Sequence, residues 1–489
     1  MPDCLRRSSA IAAVILAGFL AGEAQASPWA EVGDAALRSD IEILAAAGLI
    51  DNITTQWPLP WQGIVDRLAS RDIASHPPYI REAANRVRGH AMQQTQTGIR
   101  FGAYAGFATT PSVVRGFDAM GRGDYQAAVM MERNSGTGTS FRLSLGIIQD
   151  RAAGQTSFMP DGSYISQRIG GAIIYGGYLS HWWGPGWISA LSLSNNARPF
   201  PQVGIARTGT APFQSPWLSW LGPWQGEFFV GLLDGPRVAR NTLYSGVRVS
   251  FNPLPGLEIG LARTDQACGT GHPCNPIRDY FHLTNTDRNP SPTNSQGNID
   301  IKYTGMGFGR PFEIHTQIMN EDSNPVIHSF SSHLFGGSAW FEIAGHTTRL
   351  TIEYADSIST LDIFRFGSRL YGSSYTNVFY IDGMRYRGRT LGFSLDNDSQ
   401  LLSFQANWRD AADWNYTLSY HNASISTAQS PPGSNIVSSA PVKINLAEAR
   451  LRVPWRRFTF EFAARLQDNQ PAPDRGVLVS VESVLSYRM

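Results

Sequence analysis

The sequence predicts an all-β transmembrane barrel of about 18 antiparallel strands, preceded by a small N-terminal α-helical segment. Three observations carry that expectation. The chain opens on an export leader, its composition is poor in charge and rich in aromatics and glycine, and its periodicity switches to two residues at Gly98.

The leader comes first. Arg6 and Arg7 precede an apolar run from Ala10 to Leu20, and Ala24-Gln25-Ala26 follows as a small-residue cleavage site. This is the pattern of a Sec-type signal peptide, residues 1–26, with the mature chain starting at Ser27. The run is too short to cross a bilayer, which takes about 20 apolar residues. Cys4 lies ahead of the run, which is not where a lipoprotein cysteine stands.

Charged residues make up 16% of the chain, against about 25% in soluble domains. Aromatics reach 11%, there are 48 glycines, and no later apolar run is long enough for a membrane helix. Strands of a membrane barrel need only alternate apolar and polar residues, which such a composition allows. The net charge of +1 gives no bulk field that would attract nucleic acid. Cys268 and Cys274 enclose Gly-Thr-Gly-His-Pro. In an exported chain they are expected to form a disulfide that staples one loop. The spacing is too wide for a redox C-x-x-C, and His272 alone supplies too few ligands for a metal. No metal and no cofactor are expected.

Residues 27–97 read as a helical periplasmic segment. Asp34 can cap a helix with Leu37, Ile41 and Leu44 on one face, ending near Gly48. Pro58 and Pro60 introduce a second helix carrying Trp61, Ile64, Val65 and Leu68. Pro77-Pro78 introduces a third, carrying Ile80, Ala84, Val87 and Ala91. Each has a narrow apolar stripe and a polar back, suited to a small bundle or to packing against a barrel mouth.

Residues 98–489 read as the barrel. Phe101, Ala103, Ala105 and Phe107 alternate with Arg100, Gly102, Tyr104 and Gly106. Leu243, Val247, Val249 and Phe251 stand opposite Arg248. Ile299, Ile301 and Tyr303 oppose Asp300 and Lys302, and Phe312, Ile314 and Ile318 oppose Glu313, His315 and Gln317. Phe458, Phe460 and Phe462 oppose Arg457, Thr459, Glu461 and Arg465. One face suits lipid and the other carries charge, as in a barrel with a polar lumen. A soluble β-sandwich would show fewer charges opposite each apolar stripe. Val477, Val479, Val481, Leu485 and Tyr487 give the C-terminal stretch the same character, although Met489 and not an aromatic ends the chain. With about 9–11 residues per strand and about 12 per connection, the count is 18, with 16 as the nearest alternative. Thr264 to Asn298 and Ser426 to Pro441 read as long outward loops.

Three stretches resemble the capsule assembly protein Wzi family. They are Ser27-Pro28-Trp29 through Leu37-Arg38-Ser39-Asp40-Ile41-Glu42 to Trp57-Pro58-Leu59-Pro60-Trp61; Trp182-Trp183-Gly184-Pro185-Gly186-Trp187 with Leu193-Ser194-Asn195-Asn196-Ala197-Arg198-Pro199; and Tyr386-Arg387-Gly388-Arg389 with Leu391-Gly392 and Asp396-Asn397-Asp398-Ser399. The resemblance implies a large outer-membrane barrel with a helical bundle on its periplasmic side. It also implies a lectin-like role in holding capsular polysaccharide at the cell surface.

A polysaccharide binder needs flat aromatic faces for sugar rings and donors for hydroxyls and carboxylates. Arg365, Arg369, Arg385, Tyr386, Arg387 and Arg389 offer both, in a stretch that also holds Tyr371, Tyr375 and Tyr380. On a strand, Arg387 and Arg389 share a face and point into the lumen, where they either bind uronic acids or pair with interior carboxylates such as Asp396 or Asp398. Trp182, Trp183 and Trp187 surround a turn-forming Gly-Pro-Gly, and either stack on sugars, join an interfacial girdle or fold inward as a plug. Trp217, Trp220 and Trp224 read as girdle or loop anchors. Arg122-Gly123-Asp124 is a short adhesion tripeptide of a kind that recurs by chance. No H-E-x-x-H, G-x-S-x-G or Walker loop occurs.

The expected function is therefore non-enzymatic: an outer-membrane protein of a Gram-negative cell that anchors or organises capsular or related surface polysaccharide. Its partners are that polysaccharide and outer-membrane lipid, with no nucleic acid, and the barrel is monomeric. A sugar-selective channel is the alternative.

Overall fold

The computed structural model describes residues 28–488 apart from 136–137, 151, 153, 275–292, 322–329, 344–345, 411 and 428–433. The expected signal peptide, Ser27 and Met489 lie outside the described residues, as do parts of the two long outward loops.

Three helices come first: α1 (Ala35–Ala46), α2 (Trp61–Ala69) and α3 (Pro78–Thr95). Their positions follow the sequence signals. The Asp34 carboxylate accepts from the Leu37 N–H at 3.0 Å, an N-cap that replaces one missing helical acceptor. Pro78 begins α3 at a position where no N–H is needed.

The strands are β1 (Gly98–Ala108), β2 (Tyr125–Asn134), β3 (Thr139–Asp150), β4 (Gln155–Met159 and Tyr164–Ile169), β5 (Ala172–Gly177) and β6 (Gln202–Arg207). Next are β7 (Trp224–Leu233), β8 (Thr242–Leu254), β9 (Leu257–Ala267), β10 (Asn294–Gly307), β11 (Arg310–Glu321) and β12 (Ser331–Ile343). Last are β13 (His346–Thr360), β14 (Gln400–Arg409), β15 (Asn415–Ile425), β16 (Val442–Trp455), β17 (Phe458–Gln467) and β18 (Leu478–Arg488). Each pairs antiparallel with its neighbour, and β18 closes on β1 with Arg488 opposite Gly102 and Glu482 opposite Ala108. The result is a closed barrel of 18 strands.

The two pieces of β4 pair with opposite halves of β3. Pro160, which has no N–H, breaks the ladder between them. The Ser163 hydroxyl fills the gap by accepting from the Ser144 N–H at 2.9 Å and donating to its carbonyl at 3.0 Å.

Facing is as the alternation requires. Val249, Ile301, Ile314 and Ile352 are exposed on the outer wall, whereas Arg248, Asp300, Lys302, Glu313 and Glu353 are buried inside. The rim that carries both ends of the barrel chain has short connections such as 170–171, 255–256, 308–309 and 456–457, together with the longer 208–223. The other rim carries 109–124, 178–201, 361–399 and the described residues 268–274 and 434–441. The loop expected over Thr264 to Asn298 is shorter than that, because β9 and β10 run on into it as far as Ala267 and from Asn294. Cys268 and Cys274 are joined there by a disulfide.

Candidate functional site

The lumen is occupied from both ends. From the short-turn rim, α1 enters the barrel, and every residue of it except Ala35 is buried. Its polar back does not face water. Glu42 meets Lys302 of β10 at 2.9 Å, and Lys302 also lies 3.5 Å from Glu258 of β9. Asp40 pairs with Arg409 of β14 at 3.0 Å and with Arg86 of α3 at 2.6 Å. Ser39 accepts from the Trp340 indole at 2.8 Å.

From the long-loop rim, segment 178–201 folds inward. Trp182 and Trp183 pair antiparallel with Trp57 and Gln56, so the two inserted segments meet inside the barrel. Arg38 of α1 donates to the carbonyls of Gly186 at 2.8 Å and Pro185 at 2.6 Å, and its guanidinium lies over the Trp187 ring at 4.1 Å. Arg349 of β13 covers the same ring at 3.4 Å. Glu353 accepts the backbone N–H of Trp187 at 2.7 Å and of Ile188 at 3.2 Å. Gln317 accepts from the Leu191 N–H at 2.8 Å and donates to the Trp183 carbonyl at 2.9 Å. The glycines are required by this crowding: a Cβ on Gly186 would lie 2.1 Å from the Ser189 carbonyl oxygen.

These contacts place the sequence candidates. Trp182, Trp183 and Trp187 are 0, 0 and 2% exposed, so none presents a ring face to solvent. Arg385, Arg387 and Arg389 are not on a barrel strand, contrary to the expectation of a shared lumenal face. They belong to the 361–399 loop, where Arg385-Tyr386 pairs with Arg389-Thr390 in a two-residue hairpin. Arg387 and Gly388 form its turn at φ 49° and 75°, the positive-φ pair such hairpins demand. Arg385 is bidentate to Asp396 at 3.0 and 2.7 Å and donates to the Ser434 carbonyl. Arg389 is held by Asp150 at 2.9 and 3.2 Å. Arg369 reaches Asp356 at 2.6 Å, and Arg365 pairs with Asp362 at 3.0 Å while staying exposed.

Arg387 differs from its neighbours. Its Nε donates to the Tyr386 hydroxyl at 3.0 Å, its Nη2 lies 3.3 Å from the exposed carboxylate of Asp234, and it remains partly open at the long-loop rim. Burial, together with the Asp234 carboxylate to which its hydroxyl donates, raises the Tyr386 pKa above the ordinary phenol value. Asp234 was not apparent from the sequence, since nothing local distinguishes it from other loop acids.

Trp224 stacks on Phe213 at 4.4 Å beneath Arg207, while Trp217 and Trp220 are exposed on the short-turn rim. Arg122 of the adhesion tripeptide is turned inward, donating to the Asn195 carbonyl at 2.7 Å. Among the described residues, no group of three or more His, Cys, Asp or Glu is placed to hold a metal ion.

These features define an outer-membrane β-barrel whose lumen is filled by its own chain. The family model for Capsule assembly protein Wzi matches residues 93–467, and the chain belongs to that family. An uncharacterised 55.8 kDa protein from the cps region of Klebsiella pneumoniae is 24% identical over 334 residues. That match spans 65% of each chain, just under two thirds of the relative's length. The structure of Wzi from Escherichia coli, an outer membrane protein involved in group 1 capsule assembly and described as a carbohydrate-binding β-barrel, superposes with a TM-score of 0.80. It is 19% identical, and the alignment covers 93% of this chain and 98% of that one. The match to OccK3 of Pseudomonas aeruginosa has a TM-score of 0.43 at 11% identity, covering 80% of this chain and 95% of that one.

Proposed function

We propose that this protein is a closed, non-catalytic outer-membrane anchor that holds capsular or related surface polysaccharide on its long-loop face. The observation that carries the reading is the filled lumen. With Trp57 against Trp182 and Arg38 bound to the Pro185 and Gly186 carbonyls, a long polymer has the outward face available and not the bore. Family membership supplies the ligand class. In this reading the short-turn rim, with α2 and α3, faces the periplasm, as short turns do in such barrels, and α1 reaches from it into the lumen. Arg387 beside Asp234 is the nominated arginine best placed for sugar carboxylates and hydroxyls, because Arg385 and Arg389 are committed to Asp396 and Asp150.

Deleting the gene should move polysaccharide from cells to medium while total synthesis stays constant, and Arg387→Ala should do so partially. Unchanged cell-bound polysaccharide after deletion overturns the reading. The channel alternative predicts a stable conductance in planar bilayers, whereas a filled barrel stays silent.

A further inference from the structure

We propose that residues 361–369 form a lipid-docking flap that lies on the outer wall of the barrel and engages phosphorylated glycolipid of the outer leaflet. The segment leaves the end of β13 and folds back over the outer wall. Its polar side is tied down: Arg369 meets Asp356 of β13 at 2.6 Å, the Asp362 carboxylate accepts the N–H groups of Phe364 and Arg365 at 2.9 and 3.1 Å, and Ser368 accepts the Leu361 N–H at 2.8 Å. The Leu370 N–H returns to the Ser359 carbonyl at 2.8 Å. Order of this kind on an outward surface is costly in chain entropy unless something covers it.

The opposite side is apolar and open. Phe364 is 72% exposed, Phe366 54% and Leu361 43%. Burying apolar rings is favourable, so clustered exposed ones mark a surface meant to be covered. The occupant follows from continuity with the membrane wall. Phe366 packs on His333 at 4.9 Å and on Phe335 at 6.2 Å. Phe335 is an exposed outer-wall residue of β12, paired with Tyr354 in the same row. The flap therefore extends the lipid-facing surface upward from the strands. Arg365, with its side chain 69% exposed, stands between the two phenylalanines. An arginine framed by aromatics at the edge of a lipid-facing wall matches an anionic headgroup above acyl chains, with bidentate phosphate contact available to the guanidinium. Of the two arginines nominated from the sequence as sugar contacts, Arg365 is thereby assigned to lipid and Arg369 to holding the flap on Asp356. The choice of leaflet rests on the orientation given under the proposed function; the docking itself does not.

The test is spin-label depth in the full-length protein. Phe364→Cys is labelled and reconstituted in vesicles of phosphatidylethanolamine and phosphatidylglycerol with lipid A, or in phosphatidylcholine alone. Ile352→Cys on the outer wall is the hydrocarbon reference and Asp474→Cys, in the exposed 468–477 loop, the aqueous one. Heat-modifiable gel migration verifies that each labelled barrel is folded. The oxygen-to-nickel accessibility ratio at 364 should approach that at 352 and exceed that at 474 several-fold in lipid A vesicles. Arg365→Glu, combined with the same label, should reduce the ratio in lipid A vesicles and leave it unchanged in phosphatidylcholine. An aqueous value at 364 overturns the proposal. So does shielding that appears only at high protein-to-lipid ratio, which means a second barrel covers the flap, or insensitivity to Arg365→Glu. Protease cleavage in 361–399 on intact cells reads the orientation separately.

Discussion

The two segments that fill the bore solve the same problem in opposite ways. α1 satisfies its own backbone through helical hydrogen bonds, so what it asks of the wall is partners for charged side chains: Lys302 for Glu42 and Arg409 for Asp40. Segment 178–201 has almost no regular structure, so it asks for partners for its backbone. The wall supplies Glu353, Gln317 and, from the helix, Arg38. A polar interior thus accepts either a charged helix or an irregular loop, provided that each buried group finds a partner.

The largest expected loss is on the helix side. Lys302→Met leaves Glu42 and Glu258 together without their shared cation, and is expected to cost about 3–5 kcal/mol, as removal of one partner from a buried pair does. Urea unfolding of the purified barrel in micelles measures it; a loss below about 1 kcal/mol would mean that water reaches the pair. On the loop side, Glu353→Ala strands the N–H groups of Trp187 and Ile188. The expected cost is about 1–3 kcal/mol, read as new protease cleavage in 178–201 while α1 stays protected. If both segments loosen together, they form one cooperative unit and the distinction fails.

The smallest effect is expected at the helix cap. Asp34→Ala should cost about 1 kcal/mol and should have a pH signature. Burial works against ionisation of Asp34, but Arg452, His90 and the Leu37 N–H outweigh it and hold its pKa at about 2, below the ordinary 3.8. A depressed folded-state value means that the contribution is present above the ordinary pKa and is lost as pH falls towards 2. Wild type and variant should therefore converge in thermal stability on acidification and differ most at neutral pH.

Much of the frame was legible because hydrophobic pattern reports polarity of surroundings. Alternation at Ile299 to Tyr303 marked wall from lumen, and Asp34, Pro58 and Pro77-Pro78 marked helix starts. The same fact explains what was illegible. Water and a polar bore look alike to a polar residue, so the polar back that holds Arg38, Asp40 and Glu42 did not reveal that they are buried. The tryptophans of 182–187 were equally compatible with girdle, sugar platform or plug. The two-residue spacing of Arg387 and Arg389 suggested a strand, but Arg387-Gly388 is a turn; the signal was the glycine, and the spacing overrode it.

The contacts of α1 and its cap reach several separate strands of the wall: β10 through Lys302 and β14 through Arg409 from the helix, and β16 through Arg452, 3.8 Å from the capping Asp34. Barrel diameter grows with strand number. A rod held at ion-pair distance from strands spread over about a third of the wall is therefore a gauge of its curvature. Losing or gaining one hairpin would leave those charges crowded on one side or stranded across a gap. The calibre of this barrel is thus tied to what it contains, and its circumference is a property of residues 35–46 as well as of the strands themselves.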